Sequence, residues 1–361
     1  MFVRLIAAMT ILAGIAPFAR PAAADGHAQA AQLTGDMLQG VPVITALDVG
    51  KLEAGKHYFY FRAGWRNSGQ PLHVPVVVLK GEAPGKRLLL TAAVHGDELN
   101  GIGVVHELLA ELDSAYLAGT VMAVPGLNQP GMNANNRRYV GAGGGGFMTD
   151  PNRNFPGTKS GGSTAGLYLG ALWHGLIASN TDFAVDLHTQ TRGTAYPLFV
   201  FADFKNSAAK AAAFALSPDM VKNDGGQKGT LETTLMEAGI PAVTFEVGAP
   251  KQFQHDLIDR AVGGIKNLMR QHKMLQGAVS APQTAPIVGS SYSNVYAEAG
   301  GVAVIHVALK ERVTRGQHVA TLYDPFGREL KRYAAPHDGW VLALATDPLR
   351  EAGSMLVRIL Q

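Results

Sequence analysis

Short apolar runs alternate with stretches of helical periodicity through the first three quarters of the chain. The runs are too short for helices and predict strands over residues 76–79, 88–91, 120–124, 183–187, 199–201 and 242–245. Apolar residues recur three and four positions apart between them, which predicts helices over residues 101–117, 166–178, 208–216, 229–238 and 255–275. Strands that alternate with helices indicate an α/β fold with a mixed, mostly parallel sheet flanked by helices.

Two stretches follow neither pattern. Residues 25–40 are rich in Ala, Gln and Gly, and we expect them to be loosely structured. Residues 128–162 form a long irregular stretch with Gly at most positions from 141 to 146. Irregular stretches of this length within a compact domain are usually functional or disordered, so the second stretch is a candidate source of binding residues.

The pattern changes after a Pro, Ala and Ser-rich stretch at residues 277–286, which predicts a domain boundary. Beyond the boundary, Gly, Pro and Asp turns separate short β-rich runs at residues 302–307, 318–323 and 339–345. We therefore predict a larger α/β domain over residues 25–276 and a small all-β domain over residues 290–361.

The first residues have the pattern of a secretory signal peptide. Arg4 gives a short positive region, residues 5–15 are apolar, and Ala22-Ala23-Ala24 offers small residues for cleavage after Ala24. The apolar run is shorter than the ~20 residues that span a bilayer, which favours cleavage over the alternative of an uncleaved membrane anchor. We therefore expect a periplasmic or secreted protein, with residues 1–24 removed and no membrane attachment afterwards.

Composition narrows the chemistry. The chain contains no Cys, which excludes cysteine nucleophiles, thiolate metal sites and disulfides. The formal net charge is +3, and loss of Arg4 and Arg20 with the signal peptide lowers it to +1. Because no long run of Lys or Arg is present, the sequence does not indicate nucleic-acid binding. The partner we expect is a small-molecule or short-peptide substrate, and a homo-oligomer is compatible with the sequence.

Two histidines and a glutamate have the residue types and positions of metal ligands. His95 and Glu98 lie at the predicted start of a helix, where positions i and i+3 share a face. His188 follows a later predicted strand. Two His and one Glu leave the fourth position of a tetrahedral zinc site open, as in catalytic rather than structural sites. The sequence therefore predicts one Zn²⁺ per chain, bound by His95, Glu98 and His188.

Glu246 follows the predicted strand at residues 242–245 and is the candidate acid–base group. A Glu beside a bound cation can take a proton from water and pass it to a leaving nitrogen. Because His95, His188 and Glu246 all follow predicted strands, the three side chains should meet at one edge of the sheet. Asp150 is a candidate hydrogen-bond acceptor behind a ligand histidine, and Asp186 is a second one unless it caps a turn.

The long irregular stretch supplies candidates for binding an anion. Arg153 can pair with a carboxylate through two parallel hydrogen bonds, and Asn152 can add donors beside it. Arg137 and Arg138 precede Tyr139, and either could stabilise an oxyanion on the scissile carbonyl. We predict Arg138 for this role because it adjoins Tyr139. The alternative for the whole stretch is a solvated basic loop.

Four short segments carry these candidates, in the order His95-Gly96-Asp97-Glu98, Asp150-Pro151-Asn152-Arg153-Asn154-Phe155, Asp186-Leu187-His188-Thr189 and Phe245-Glu246-Val247-Gly248. Together they resemble the succinylglutamate desuccinylase/aspartoacylase family of the wider zinc carboxypeptidase superfamily, over about residues 75–275. The resemblance implies the zinc ligands named above, Glu246 as general base, and Arg153 with Asn152 on the substrate carboxylate.

The C-terminal part resembles a lipoyl/biotinyl-type hammerhead domain. The resemblance rests on Val313-x-x-Gly316 and on the segment Ala335-Pro336-His337-Asp338-Gly339. At the predicted hairpin tip stand Phe326, Gly327 and Arg328 instead of a carrier lysine. We therefore predict that this domain carries neither a lipoyl nor a biotinyl group.

These features predict a zinc-dependent amidohydrolase that cleaves an amide bond in a small substrate with a free carboxylate, as an N-acyl amino acid deacylase does. A periplasmic metallocarboxypeptidase or cell-wall peptide amidase is the alternative, and the signal peptide favours it. A closed pocket would indicate acylated amino acids, whereas an open groove would indicate peptides. A non-catalytic zinc-binding protein on the same scaffold is a second alternative, which the intact ligand set and Glu246 oppose.

Overall fold

A computed structural model describes residues 29–141, 148–281 and 284–361. The predicted signal peptide and its cleavage site lie outside the described residues. Twenty-two strands occur in these ranges: β1 Ala31–Leu38, β2 Val41–Leu47, β3 Gly55–Trp65, β4 Pro71–Lys80, β5 Ala83–Ala92, β6 Ala118–Val124, β7 Tyr139–Val140, β8 Met148–Thr149, β9 Phe183–His188, β10 Thr194–Ala195, β11 Leu198–Ala202, β12 Met220–Asn223, β13 Ala242–Val247, β14 Ile287–Gly289, β15 Tyr292–Tyr296, β16 Gly301–Ile305, β17 Arg312–Val313, β18 His318–Tyr323, β19 Glu329–Ala334, β20 Gly339–Ala345, β21 Leu349–Arg350 and β22 Met355–Leu360.

The same ranges contain six α-helices: α1 Asn100–Glu111, α2 Gln129–Asn133, α3 Thr164–Leu172, α4 Ser207–Ala215, α5 Leu231–Glu237 and α6 His255–Gln271. The predicted helix over residues 166–178 is divided, because α3 continues as a π-helix over Trp173–Ile177. The one predicted over residues 101–117 stops early, since Asp113 caps a separate 3-10 turn at Ser114–Tyr116. In the described part of the chain, no helix has the length and apolar character needed to span a membrane.

Eleven strands form the central sheet, in the order β1-β2-β3-β4-β6-β5-β9-β13-β11-β12-β14. Six of its ten strand pairs are parallel, which confirms the predicted mixed, mostly parallel sheet. The expectation that residues 25–40 are loosely structured is wrong from Ala31 onward. There the chain forms the edge strand β1, which pairs antiparallel with β2.

Alternation along the central strands assigns each side chain to one face of the sheet. On β9, Phe183, Val185 and Leu187 join a core that also contains apolar residues of α1, α4 and α6. Ala184 joins the core on the opposite face, which α3 and α5 cover. By the same alternation, Asp186 and His188 lie on the α3 and α5 face of the sheet.

The strands after β14 form two small sheets that share one hydrophobic core. One is the four-stranded sheet β19-β18-β16-β21, and the other contains β15, β17, β20 and β22. The second sheet also includes β10 from the middle of the chain, because Thr194 and Ala195 pair with β20. The C-terminal strands are therefore joined to the loop that follows β9. The predicted tip residues, Phe326 to Arg328, lie in the turn between β18 and β19.

Candidate active site

Backbone register brings the polar residues of the central strands together. His188 is the last residue of β9 and is the parallel Cα partner of Glu246 on β13. Asp186 is likewise the partner of Thr91 on β5. All four side chains lie on the same face, near the carboxyl ends of their strands, because strand residues alternate between faces. The strand residues of the site thus lie together at one edge of the sheet because β5, β9 and β13 pair in parallel.

His95 and Glu98 lie in a tight turn between β5 and α1, and not on the first turn of the helix as predicted. The Glu98 N–H donates to the His95 carbonyl at 3.1 Å, which closes the turn and brings the two side chains together. Gly96 is required here, because a Cβ atom at this position would come within 2.3 Å of the Gly131 backbone. The turn therefore packs directly on α2.

Three buried side chains converge at the centre of the site. The Nδ1 atoms of His95 and His188 are 3.1 Å apart. Glu98 spans both rings, with its Oε1 atom 2.9 Å from His95 Nδ1 and its Oε2 atom 2.8 Å from His188 Nδ1. These separations are close to the roughly 3.3 Å edge of a tetrahedral site with zinc–ligand bonds of about 2.0–2.1 Å. The predicted ligand set is thus assembled around one point that could hold a metal ion.

Each imidazole is supported from behind by a carboxylate. His95 Nε2 lies 3.1 Å from Asp150 Oδ1, and His188 Nε2 lies 2.8 Å from Asp186 Oδ2. The other oxygen of Asp186 accepts a hydrogen bond from the Thr91 hydroxyl at 2.7 Å. When a carboxylate accepts a hydrogen bond from Nε2–H, the imidazole keeps its proton on Nε2, and the Nδ1 lone pair is free to bind a metal. Both aspartates named from the sequence are therefore in position for this role, and Asp186 does not cap a turn.

The electrostatics of the cluster favour a cation at its centre. Burial alone would lower the pKa of His188, but Asp186 and Glu98 outweigh burial and raise the pKa well above its ordinary value. Burial likewise opposes ionisation of Glu98, yet His95, Arg137 and His188 hold the pKa of this carboxyl below its usual range. Two facing imidazole lone pairs beside a carboxylate form a donor set that suits Zn²⁺. The residues present therefore fit a catalytic zinc ion.

The structure places Arg137 in the cavity and Arg138, the predicted oxyanion stabiliser, outside it. Arg137 Nη1 donates to Glu98 Oε1 at 2.5 Å, whereas Arg138 is exposed and does not line the cavity. The backbone explains the difference. The Arg137 carbonyl accepts from the Gly96 N–H at 3.2 Å, and the Arg138 N–H donates to Asn136 Oδ1 at 2.9 Å. These bonds fix the turn with Arg137 facing the ligands.

Asn152 and Arg153 line the same cavity, on a short 3-10 helix. Asp150 caps this helix by accepting from the Asn152 N–H at 2.9 Å. Asn152 is buried, and its Oδ1 atom accepts from the Leu231 N–H at 2.8 Å, which ties the loop to the start of α5. Arg153 is more exposed and donates to the Asn152 carbonyl at 2.5 Å. Its guanidinium is therefore within reach of a ligand that enters the cavity.

Glu246 is a buried carboxyl in the wall of the cavity. Among the described residues, its Oε2 atom has no hydrogen-bond partner. Burial is the largest cause that raises the pKa of Glu246 to about 8, and Glu98 and Asp186 contribute in the same direction. A carboxyl with a raised pKa beside a donor set for a metal has the properties expected of a general base.

Several cavity residues were not identified from the sequence, and four of them have side chains that can bind or orient a ligand. Tyr196 lies between β10 and β11, Glu232 in the first turn of α5, and Tyr292 and Arg358 in the C-terminal strands β15 and β22. Arg358 stacks on the Tyr292 ring at 4.2 Å and donates hydrogen bonds to the Tyr196 hydroxyl and, at 2.7 Å, to Asn294 Oδ1. The C-terminal strands thus complete a cavity of about 280 Å³.

Comparison with known proteins gives consistent matches. The family described as "Succinylglutamate desuccinylase/Aspartoacylase catalytic domain" matches residues 84–272. N-alpha-acetyl-L-2,4-diaminobutyric acid deacetylase from Halomonas elongata is 26% identical over 283 residues, which cover 75% of this chain and 80% of the relative.

Solved structures give the same fold. The product-bound ectoine utilization protein EutE (DoeB) from Ruegeria pomeroyi superposes with a TM-score of 0.75 at 22% identity, over 85% of this chain and 95% of that one. A succinylglutamate desuccinylase/aspartoacylase from Rhodobacter sphaeroides gives a TM-score of 0.73 at 22% identity, over 86% and 95% of the two chains.

Proposed function

The chain belongs to the succinylglutamate desuccinylase/aspartoacylase family, and we propose that it hydrolyses the amide bond of a small N-acyl amino acid in a zinc-dependent reaction. The observation that carries the proposal is the position of Glu246. This carboxyl is buried, lacks a hydrogen-bond partner for Oε2 among the described residues, and stands opposite the ligand His188 on the neighbouring strand. A structural carboxylate at this depth would be paired, whereas a general base must be free to take a proton.

His95, Glu98 and His188 would hold one zinc ion per chain. Zinc bound there would supply Lewis-acid activation of water and of the substrate carbonyl. Asp150 and Asp186 keep the two imidazoles in the tautomer that presents Nδ1, so they contribute to metal affinity without contacting the ion.

The remaining residues bind the substrate and move protons. Arg153 and Asn152 would hold the carboxylate of the amino acid, because a guanidinium with an adjacent amide donor matches that group. Arg137 would donate to the oxygen that becomes negative in the transition state. Glu246 would take a proton from water and then give it to the departing amino nitrogen.

The size of the cavity supports a small substrate. At about 280 Å³ it lies just below the ~300–1,000 Å³ typical of ligand pockets, which suits an acylated amino acid better than a peptide. Tyr292 and Arg358 from the proposed domain at residues 290–361 also line it, so residues of two sheets bound the space available to a substrate. The relative from Halomonas elongata is named for deacetylation, so we propose acetyl as the first acyl group to test.

We also propose that the protein is exported. The support is the N-terminal pattern of Arg4, the apolar residues 5–15 and the small residues before Asp25. N-terminal sequencing of the protein purified from its native host tests this, with a mature terminus near Asp25 expected. An intact Met1 in a cytosolic fraction would contradict export.

Hydrolysis of a panel of N-acyl amino acids and dipeptides by zinc-loaded protein tests the activity. We expect release of free amino acid from at least one N-acetyl or N-succinyl substrate, and loss of that activity in the Glu246→Gln variant. Cleavage of dipeptides without cleavage of any N-acyl amino acid would support the peptidase alternative. Zinc binding without turnover of any substrate would support the non-catalytic alternative.

A further inference from the structure

One buried carboxylate in the cavity has no task in the proposed reaction. Glu232 is 6% exposed and lines the cavity from the first turn of α5. Within the described ranges it makes no hydrogen bond or ion pair. Buried carboxylates are normally paired or coordinate a cation, because the cost of desolvating an isolated charge is high. An unpaired Glu that faces a ligand cavity therefore indicates that the ligand supplies the partner.

Negative groups predominate around Glu232, although the imidazole of His188 acts on its pKa in the opposite direction. The charged groups that act on it most strongly include the carboxylates Asp224, Asp186 and Asp203. Asp224 also lines the cavity, but Lys222 forms an ion pair with it and the Gly226 N–H donates to it at 2.9 Å. The charge of Asp224 is thus already balanced, whereas the Glu232 carboxyl has no such partner among the described residues.

The position of Glu232 places it near the side chain of the proposed amino acid substrate. Leu231, its neighbour in sequence, donates its N–H to Asn152, which adjoins Arg153 on the proposed carboxylate-binding side. The α-carbon of an amino acid carries both its carboxylate and its side chain. A residue fixed beside the carboxylate-binding loop is therefore placed to meet the side chain. The α-nitrogen cannot supply the cation, since in the substrate it is acylated and neutral.

We infer that Glu232 selects substrates whose amino acid side chain ends in a cationic group, such as a primary ammonium. The inference deepens and rests on the proposed deacylase function. Burial is the first cause that raises the pKa of Glu232 to about 8, which favours the protonated carboxyl in the absence of a ligand. An ammonium group beside it would favour the ionised form, and binding should therefore release a proton.

Calorimetric binding to zinc-loaded protein tests the inference without relying on turnover. A Glu246→Gln background prevents hydrolysis in all samples. The ligands are the Nα-acetyl derivatives of 2,4-diaminobutyrate, ornithine and lysine, each paired with its neutral isostere norvaline, norleucine or 2-aminoheptanoate. We expect at least one cationic ligand to bind about tenfold or more tightly than its isostere, as charge-assisted hydrogen bonds do.

The matched variants locate the effect. Adding Glu232→Gln should reduce the preference to about threefold or less and abolish proton release, whereas Glu237→Gln, at the exposed end of the same helix, should leave both unchanged. Equal binding within every pair, no binding of any ligand, or a preference that survives Glu232→Gln overturns the inference. Turnover assays with enzyme that retains Glu246 distinguish the proposed deacylase function from the proposed selectivity of Glu232. Charge-selective binding without hydrolysis refutes only the function, and hydrolysis of each pair at equal rates refutes only the selectivity.

Discussion

His188 and Glu246 are direct partners on adjacent parallel strands, β9 and β13, so a candidate metal ligand and the candidate base are held together by backbone register. Both residues are buried, and the alternating core residues of each strand face the other side of the sheet. A register slip of one residue would turn a polar side chain toward the apolar core, which makes the pairing strongly specified. Their relative position is therefore a property of the fold and not of a flexible loop.

Removing a ligand or its support should affect zinc content to different degrees. We expect one zinc per chain in the wild type and little in His188→Ala, since that change removes one of three ligands. Asp186→Asn should weaken zinc affinity by about 10–100-fold, because the carboxylate orients His188. Competition with a chromophoric chelator measures both, and Asp256→Asn on the exposed side of α6 is the control. Stoichiometric, tight zinc in His188→Ala would refute the ligand assignment.

Glu246→Gln should separate metal binding from chemistry. The amide retains the size of the side chain but cannot accept a proton, and general acid–base steps contribute ~10²–10⁴-fold. We therefore expect kcat to fall by at least about 10²-fold while zinc content stays at one per chain. Metal analysis and turnover on the same preparation provide the comparison. A variant with nearly normal kcat would require a different base.

The two neighbouring arginines should differ sharply in their effect. Arg137 contacts Glu98, whereas Arg138 faces solvent. Losing one donor to a developing oxyanion costs roughly 10²–10³-fold in kcat, so Arg137→Ala should show a decrease of that order. Arg138→Ala serves as the matched control and should remain within about twofold of the wild type. The assignment fails if Arg138→Ala is the more damaging change.

Arg153 should act mainly through binding of the substrate carboxylate. We expect Arg153→Ala to raise KM, with a further loss in kcat only if substrate orientation suffers. Converting the substrate carboxylate to an amide should then reduce kcat/KM far more in the wild type than in the variant. Equal losses in both enzymes would show that Arg153 does not bind the carboxylate, and attention would move to Arg358 in the same cavity.

Both faces of the central strands are buried, so their sequences are runs of apolar residues. These runs allowed the strands to be predicted from the sequence. The N-terminal strands were missed because they lack such runs: β1 is largely exposed, and β3 alternates buried Phe59 and Phe61 with more polar neighbours. Among the site residues, His95, His188 and Glu246 were predictable because each follows a run of apolar residues, and functional groups collect at the carboxyl ends of parallel strands.

The other cavity residues could not have been found in the same way. Tyr292 and Arg358 line the cavity from strands of another sheet, and their local sequence does not predict that these strands pack beside the site. Arg137 and Arg138 are chemically identical, and only hydrogen bonds in the turn decide which one faces Glu98. Tertiary contacts thus determined the part of the site that local patterns could not specify.

Glu232 should make the free energy of unfolding depend on pH in a direction opposite to that of a paired carboxylate. Its pKa is raised to about 8, from an ordinary value of 4.5, first by burial and then by neighbouring carboxylates. Between these two pH values the native state therefore binds more protons than the unfolded state. Stability contributed by the protonated carboxyl is present below pH 4.5 and is lost as the pH rises toward 8.

The Glu232→Gln variant lacks this titration, and comparison with the wild type isolates it. We expect the two proteins to have similar unfolding free energies near pH 5 and the variant to be more stable near pH 8, by on the order of a few kcal/mol. Urea unfolding of zinc-loaded protein between pH 5 and 8.5 measures the difference, and Glu237→Gln should give a pH-independent offset. A Glu232→Gln difference that stays constant over this range would mean that Glu232 is already compensated in the folded protein, and its proposed need for a cationic ligand would lose its physical basis.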